Sequence, residues 1–331
     1  MKIALCRTKP SDHGEMLLSA VGKGIALHGD RQEWLSSERD ALRLLPECTA
    51  AVMICSPNRH QSPDCEAVRL RNAVDAECRR LGKRILMIDT GYVRNDLEWK
   101  RDNPGRHIRQ SAAEAYLGVG WDGIKRHGDC GVAIGDAMPD RWRELGVTML
   151  PWRVRRPAKR LLLIGQTHNG ASTQDIVIGD WYGQALAACA QDGKCRILYR
   201  PHPRMRSHRG RWELDRDTVL RRYGIAYDIE VSEESSLEAD LDKVDAVVCY
   251  SSNAAVTSVL NGIPTVVGHD ICMAWDVAGH DLSAIDEYRT CDREPWVHRL
   301  AWAQWTCDEM ASGAMWSHFR KFAKLQRRSE A

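Results

Sequence analysis

Short apolar runs rich in Leu, Ile and Val recur along the chain and alternate with longer amphipathic stretches. Runs of that length bounded by turn residues suit strands buried on both faces, and the stretches between them carry the apolar spacing of covering helices. Strands are predicted over residues 2–6, 50–55, 84–88, 160–164, 196–199, 246–250 and 265–267, and helices over 64–81, 181–191, 214–223 and 254–260. This strand-then-helix rhythm predicts an α/β fold with doubly wound parallel sheets. It restarts after residues 149–160, MLPWRVRRPAKR, a Pro- and Arg-rich linker followed by the fresh apolar run LLLIG. The expected division is therefore 1–152, 153–295 and a helical tail, 296–331, packing back across both domains. Within that tail Trp296, Leu300, Trp302, Trp305 and Met310 have the spacing of core residues.

Composition narrows the class. The chain has 331 residues, 44% hydrophobic and 28% charged, enough for two buried cores. No apolar run approaches the ~18 residues a membrane helix needs, so no membrane partner is expected. Lys plus Arg is 47 against Asp plus Glu 45, a net charge of +2. Any polyanion site must then come from local clustering. The 12 cysteines include no C-x-x-C pair, and several fall in apolar runs, which predicts free buried thiols and a reducing, cytoplasmic setting.

Ligands of doubly wound sheets bind beyond the carboxyl ends of the strands, so motifs at those ends carry the chemistry. Arg200-Pro201-His202-Pro203 follows one predicted strand, and Tyr250-Ser251-Ser252-Asn253 follows another. The prolines project His202 from an extended turn, and Ser-Ser-Asn before small helix formers suits a helix N-cap that can meet an anion. Each alone also suits an ordinary turn or cap; their pairing in one domain favours a phosphate ligand for Arg200, His202, Ser251, Ser252 and Asn253. Gly165 to Ser172, GQTHNGAS, is a polar glycine loop at the first strand end of that half, with Gln166 and His168 as its candidate contacts. In the first half Asp89 ends the run RILMID, where a carboxylate can accept a proton from an attacking hydroxyl. Asp122, in an Asp-Gly turn, is the second candidate. The G-x-G-x-x-G at 118–123 has no clear strand before it, and no P-loop is present, which argues against nicotinamide and P-loop enzymes.

Strand–RPHP followed by strand–SSNAAVTSVLNGIPTVV resembles the C-terminal half of GT-B glycosyltransferases, among them the bacterial polysialyl and capsule Kdo transferases. The wider series GYVRND, GWDGI, GQTHNGAS, RPHP and QWTCDEM, from about Arg84 onward, is similar to phage-encoded DNA glycosyltransferases. The resemblance implies two Rossmann-like domains facing a central cleft, a nucleotide-sugar co-substrate such as a UDP-sugar, His202 and the serines on the donor's phosphate, and Asp89 as base. Transfer would be inverting, without metal or other cofactor. It also implies an acceptor hydroxymethyl group on a modified pyrimidine, such as 5-hydroxymethylcytosine, in DNA. A cation run just beyond Asp89 fits a DNA backbone, with Arg94, Arg101, Arg106 and Arg109 as contacts. Tyr92, Trp99 and Trp121 are then the candidates to stack on a flipped base. Transfer to a capsule or lipid-linked glycan, a non-catalytic nucleotide- or nucleic-acid-binding protein, and a nucleotide-sugar epimerase remain open on the same fold.

Overall fold

A computed structural model describes residues 1–7, 12–57, 65–93, 99–103, 106–109, 115–153, 160–167, 170–190, 196–202, 229–234, 236–283 and 291–326. The strands along the chain are β1 (Lys2–Cys6), β2 (Arg31–Leu35), β3 (Ala50–Ile54), β4 (Ile85–Thr90), β5 (Trp99–Asn103), β6 (Arg106–Arg109) and β7 (Tyr116–Trp121). They continue with β8 (Arg160–Ile164), β9 (Arg196–Arg200), β10 (Ile229–Val231), β11 (Ala246–Cys249), β12 (Thr265–Val267) and β13 (Gln304–Thr306). Two compact units result, residues 1–147 with 294–331, and residues 148–293.

The first unit is built on a sheet of order β13-β7-β4-β3-β1-β2. β1 to β4 are parallel, and β7 runs antiparallel to both β4 and β13. One face carries Ile3, Leu5, Leu86, Ile88, Leu117, Val119 and Trp121 onto Leu17, Val21 and Ile25 of the helix Asp12–Leu27 and onto Met315, Trp316 and Phe319 of the tail. The tail is thus part of the first unit, where packing across both domains was expected. Two devices hold it there. Arg141 donates to the Ala301 and Gln304 carbonyls and to Glu309, and its guanidinium lies 3.7 Å from the Trp305 ring centroid. Asp30 accepts from Trp316 Nε1 and doubly from Arg320. β5 and β6 form a separate two-stranded antiparallel ribbon.

The second unit is a wholly parallel sheet of order β10-β9-β8-β11-β12. Its core joins Leu161, Leu163, Ile197 and Val248 to Trp181, Tyr182, Ala185 and Leu186 of the helix Ile178–Ala190. Trp181, Tyr182, Tyr199 and Tyr250 form a chain of edge-to-face ring contacts 5.5–6.2 Å apart, a geometry that satisfies the ring quadrupoles. The helix predicted over 214–223 lies outside the described residues. All described cysteines are free thiols. Among the described residues no helix is long and apolar enough to cross a membrane.

Candidate functional site

In the second unit three strand ends converge, and side-chain chemistry is what joins them. Gly165, just past β8, receives β9 closely: its amide donates to the Arg200 carbonyl at 2.8 Å, and a β-carbon there would come within 3.0 Å of the His202 amide nitrogen. Only glycine fits so near a neighbouring backbone. The next residue, Gln166, is buried and bonds Ser251 with both ends of its amide. Its Nε2 donates to Ser251 Oγ at 3.1 Å, and its Oε1 accepts the Ser251 amide at 2.6 Å. Its own amide donates to the Tyr182 hydroxyl at 2.6 Å. The ends of β9, β8 and β11 are thereby fixed side by side, in the order His202, Gly165-Gln166, Ser251.

This geometry redistributes the expected roles. Ser251 is fully buried and its hydroxyl is engaged by Gln166 and the Ser172 carbonyl, so it braces the site from beneath. Ser252 is partly exposed, and its Oγ accepts the Ala254 amide at the start of the helix Ala254–Leu260. Asn253 occupies the cap position of that helix with no side-chain capping bond. Arg200, expected on a phosphate, gives Nη1 to the fully buried carboxylate of Asp240 and to the Glu234 carbonyl. Ser232 Oγ donates to the same carboxylate at 2.7 Å. A buried anion needs its cation, so Arg200 is tied through Nη1 to the unit's interior. Of the Asp240-Leu241-Asp242 triplet, Asp240 is thus buried and paired, whereas Asp242 is exposed. His168 lies outside the described residues.

β12 contributes a fourth strand end, beyond the motifs expected to carry the site. His269 and Asp270 follow it after Gly268, and the Ile271 amide donates to His269 Nδ1 at 3.1 Å. The His269 ring lies 5.3 Å from that of Tyr250. Burial, with the charges of Asp175 and Asp270, pushes the Tyr250 phenol above its ordinary range. The signal was present in VVGHD, a His-Asp pair at a strand end. Among the described residues no three His, Cys, Asp or Glu side chains are grouped to hold a metal ion.

In the first unit Asp89 is the penultimate residue of β4, half-buried at the carboxyl edge of the parallel strands. Asp122 sits at the other edge, because β7 runs antiparallel. Its Oδ1 accepts the Ile85 amide at 2.9 Å, and its Oδ2 accepts Arg84 Nε at 2.6 Å. It adopts a left-handed φ of 62°, which Asp tolerates better than most residues. The two carboxylates therefore do not share a locus, and Asp122 is the anchor of a buried arginine. Trp121 is fully buried between Trp316, Phe319 and the Arg84 guanidinium, and Tyr92 is 5% exposed, so neither ring is available to stack on a base. Trp99 pairs in register with Arg109 on the β5–β6 ribbon, which also carries Arg101 and Arg106. Arg94 lies outside the described residues. The G-x-G-x-x-G lies within and just beyond β7, inside the sheet and not at a phosphate-binding turn.

No protein-family model matches the chain, and no curated protein matches it in sequence. Solved structures do. Thermosulfurimonas dismutans KpsC, beta Kdo 2,4 transferase, is 14% identical over 92% of this chain and 90% of that one, with a TM-score of 0.53. The beta Kdo 2,7 transferase of the same organism's KpsC is 11% identical over 95% and 98%, also with a TM-score of 0.53. At these identities the likeness is one of fold: two Rossmann-like domains of the GT-B kind. It lends nothing to a DNA acceptor.

Proposed function

We propose that the protein is a glycosyltransferase that moves a sugar from a nucleotide-sugar donor to a hydroxyl acceptor. The observation that carries this is the convergence of the β8, β9 and β11 ends, with His202 and Ser252 half-buried beside the buried Gln166–Ser251 pair. Fold likeness to two Kdo transferases over nearly the whole chain supports it. In this reading the donor's phosphates lie over the carboxyl edge of the second sheet, and the acceptor hydroxyl lies at Asp89 on that of the first. Asp89 takes the hydroxyl proton as the oxygen attacks the anomeric carbon, and the bond from that carbon to the nucleotide's phosphate oxygen breaks. With Arg200 tied to Asp240, His202, the Ser252 hydroxyl and nearby backbone amides meet the charge of the departing nucleotide. The reaction is proposed to be inverting and to need no metal.

For the acceptor we propose the hydroxymethyl group of a modified pyrimidine in DNA. What supports it is the motif resemblance and the β5–β6 ribbon, which gathers Lys100, Arg101, Arg106 and Arg109 within one short element next in sequence to Asp89. Such an element suits phosphate contacts. With Tyr92 and Trp121 buried, we assign stacking on an extruded base to Trp99. The test is incubation with hydroxymethylcytosine DNA and a panel of UDP-, CMP- and GDP-sugars, followed by nucleoside mass analysis. A hexose- or ulosonate-sized mass increase is expected with one donor. Unmodified nucleosides alongside transfer to an oligosaccharide acceptor would replace DNA by a glycan, and donor turnover without any acceptor would replace transfer by epimerisation or hydrolysis.

A further inference from the structure

The β11 and β12 ends carry polar groups that the phosphate-facing residues leave unused. Tyr250 directly follows β11, and Gly268 directly follows β12. The Tyr250 carbonyl accepts the Gly268 amide at 3.0 Å and the His269 amide at 3.1 Å, which draws the two ends together. Trp181, in the first turn of the helix Ile178–Ala190, closes against both. Its ring meets Tyr250 edge to face at 5.5 Å, and a β-carbon at Gly268 would come within 2.5 Å of its Nε1. A side chain at position 268 would therefore cover the indole N–H.

Trp181 is 5% exposed and Tyr250 6%. Rings buried to that degree usually give their N–H or O–H to an acceptor. Here neither does: the indole N–H and the phenol hydroxyl have no hydrogen-bond partner among the described residues, and neither atom is sealed from solvent. The charges of Asp175 and Asp270 both act on the phenol, and no cation among the described residues offsets them there. His269 Nδ1 accepts the Ile271 amide, so it carries no proton to neutralise Asp270 at 3.2 Å. The cluster thus joins two neutral donors to a negative field. Hydroxyls of an uncharged ring suit it, because their oxygens accept from the indole and phenol and their protons go to a carboxylate. A phosphate or carboxylate does not, since it meets like charge.

We propose that Trp181, Tyr250 and Asp270 form a subsite for the hydroxyls of an uncharged sugar ring of the nucleotide-sugar. This rests on the reading of the second sheet as the donor site. The transferred sugar and the nucleotide's ribose share the required chemistry, and the test separates them.

The probes are UDP-glucose, GDP-mannose and CMP-N-acetylneuraminate, each beside its free nucleotide UDP, GDP or CMP. Binding is read by calorimetry and by the Trp181 indole 15N–1H resonance, identified by its loss in Trp181→Phe. The probe that binds is expected to shift that resonance. Tyr250→Phe weakens it about fivefold, the loss of one neutral hydrogen bond, and Asp270→Asn about tenfold or more. The melting temperature of Tyr250→Phe is unchanged, because its hydroxyl has no protein partner to lose. A shift reproduced by the free nucleotide assigns the subsite to ribose, and one that needs UDP-glucose or GDP-mannose assigns it to the transferred sugar. Binding that His202→Ala weakens, but that leaves the Trp181 resonance unmoved or is indifferent to Tyr250→Phe, overturns the subsite and spares the donor reading. A shift that CMP-N-acetylneuraminate produces and CMP does not also overturns it, because a carboxylate-bearing sugar then occupies the cluster. Binding by none of the probes removes the donor reading and the subsite with it.

Discussion

Asp89 and Asp122 show how a carboxylate's duty follows from its neighbours and not from its motif. Both stand beside a glycine turn in sequence, yet one is half-buried at the carboxyl edge of the sheet and the other is locked to Arg84 and the Ile85 amide at the opposite edge. Opposite outcomes follow. Asp89→Asn is expected to lower kcat roughly a hundred- to ten-thousandfold, the range of a lost general base, with thermal stability unchanged. Asp122→Ala is expected to destabilise by about 2–3 kcal/mol, through the partly uncompensated Arg84 charge and the orphaned amide, with turnover intact below the melting transition. Thermal scans and steady-state rates on both variants separate the two. The sequence could point to Asp89 because a strand-end acid is visible in RILMID. It could not demote Asp122, since β7 and its antiparallel sense were not legible in YLGVGW, where two glycines break the strand pattern.

At the scale of elements, motifs at strand ends were readable, but which of their side chains face a ligand was not. Arg200 is adjacent to His202 in sequence, and its partner Asp240 is forty residues away behind an element the pattern does not reveal, the three-residue β10. Arg200→Ala is expected to cost about 3–5 kcal/mol by stranding the buried Asp240 charge, whereas His202→Ala is expected to leave stability within about 0.5 kcal/mol; urea unfolding reads both. The tail likewise showed its core residues but not its strand. β13 interrupts a helical pattern, and the signal was the Thr306-Cys-Asp-Glu309 capping box that starts a new helix after it. His318 anchors this tail, stacked 4.7 Å from Trp302 with Nε2 bonded to the Cys130 carbonyl at 2.8 Å. Burial pushes its pKa down, and the hydrogen bond to that carbonyl only partly opposes this. The unfolded chain binds a proton near pH 6.5 and the folded chain resists until lower. Stability therefore falls as pH drops below about 6.5, and His318→Phe is expected to flatten that fall in thermal melts between pH 7 and 5.

For the whole molecule, two doubly wound units could be inferred because their strands are continuous apolar runs and the linker between the halves is distinctive in composition. The same runs placed the boundary near residue 152, and the chain crosses at 147–148 and again at 293–294. The second crossing falls two residues from the expected start of the tail at 296, and beside it the buried Arg293 guanidinium lies 4.0 Å from the ring centroid of the half-buried Trp152. What the fold must do to be an enzyme of the proposed kind is hold a nucleotide-sugar over the second sheet independently of Asp89 in the first. Calorimetric titration with UDP-, CMP- and GDP-sugars tests that directly. One donor is expected to bind the wild type and Asp89→Asn alike, and His202→Ala is expected to weaken it about tenfold, the loss of one charge-assisted contact. Binding by none of the three, or binding indifferent to His202→Ala, would contradict the account.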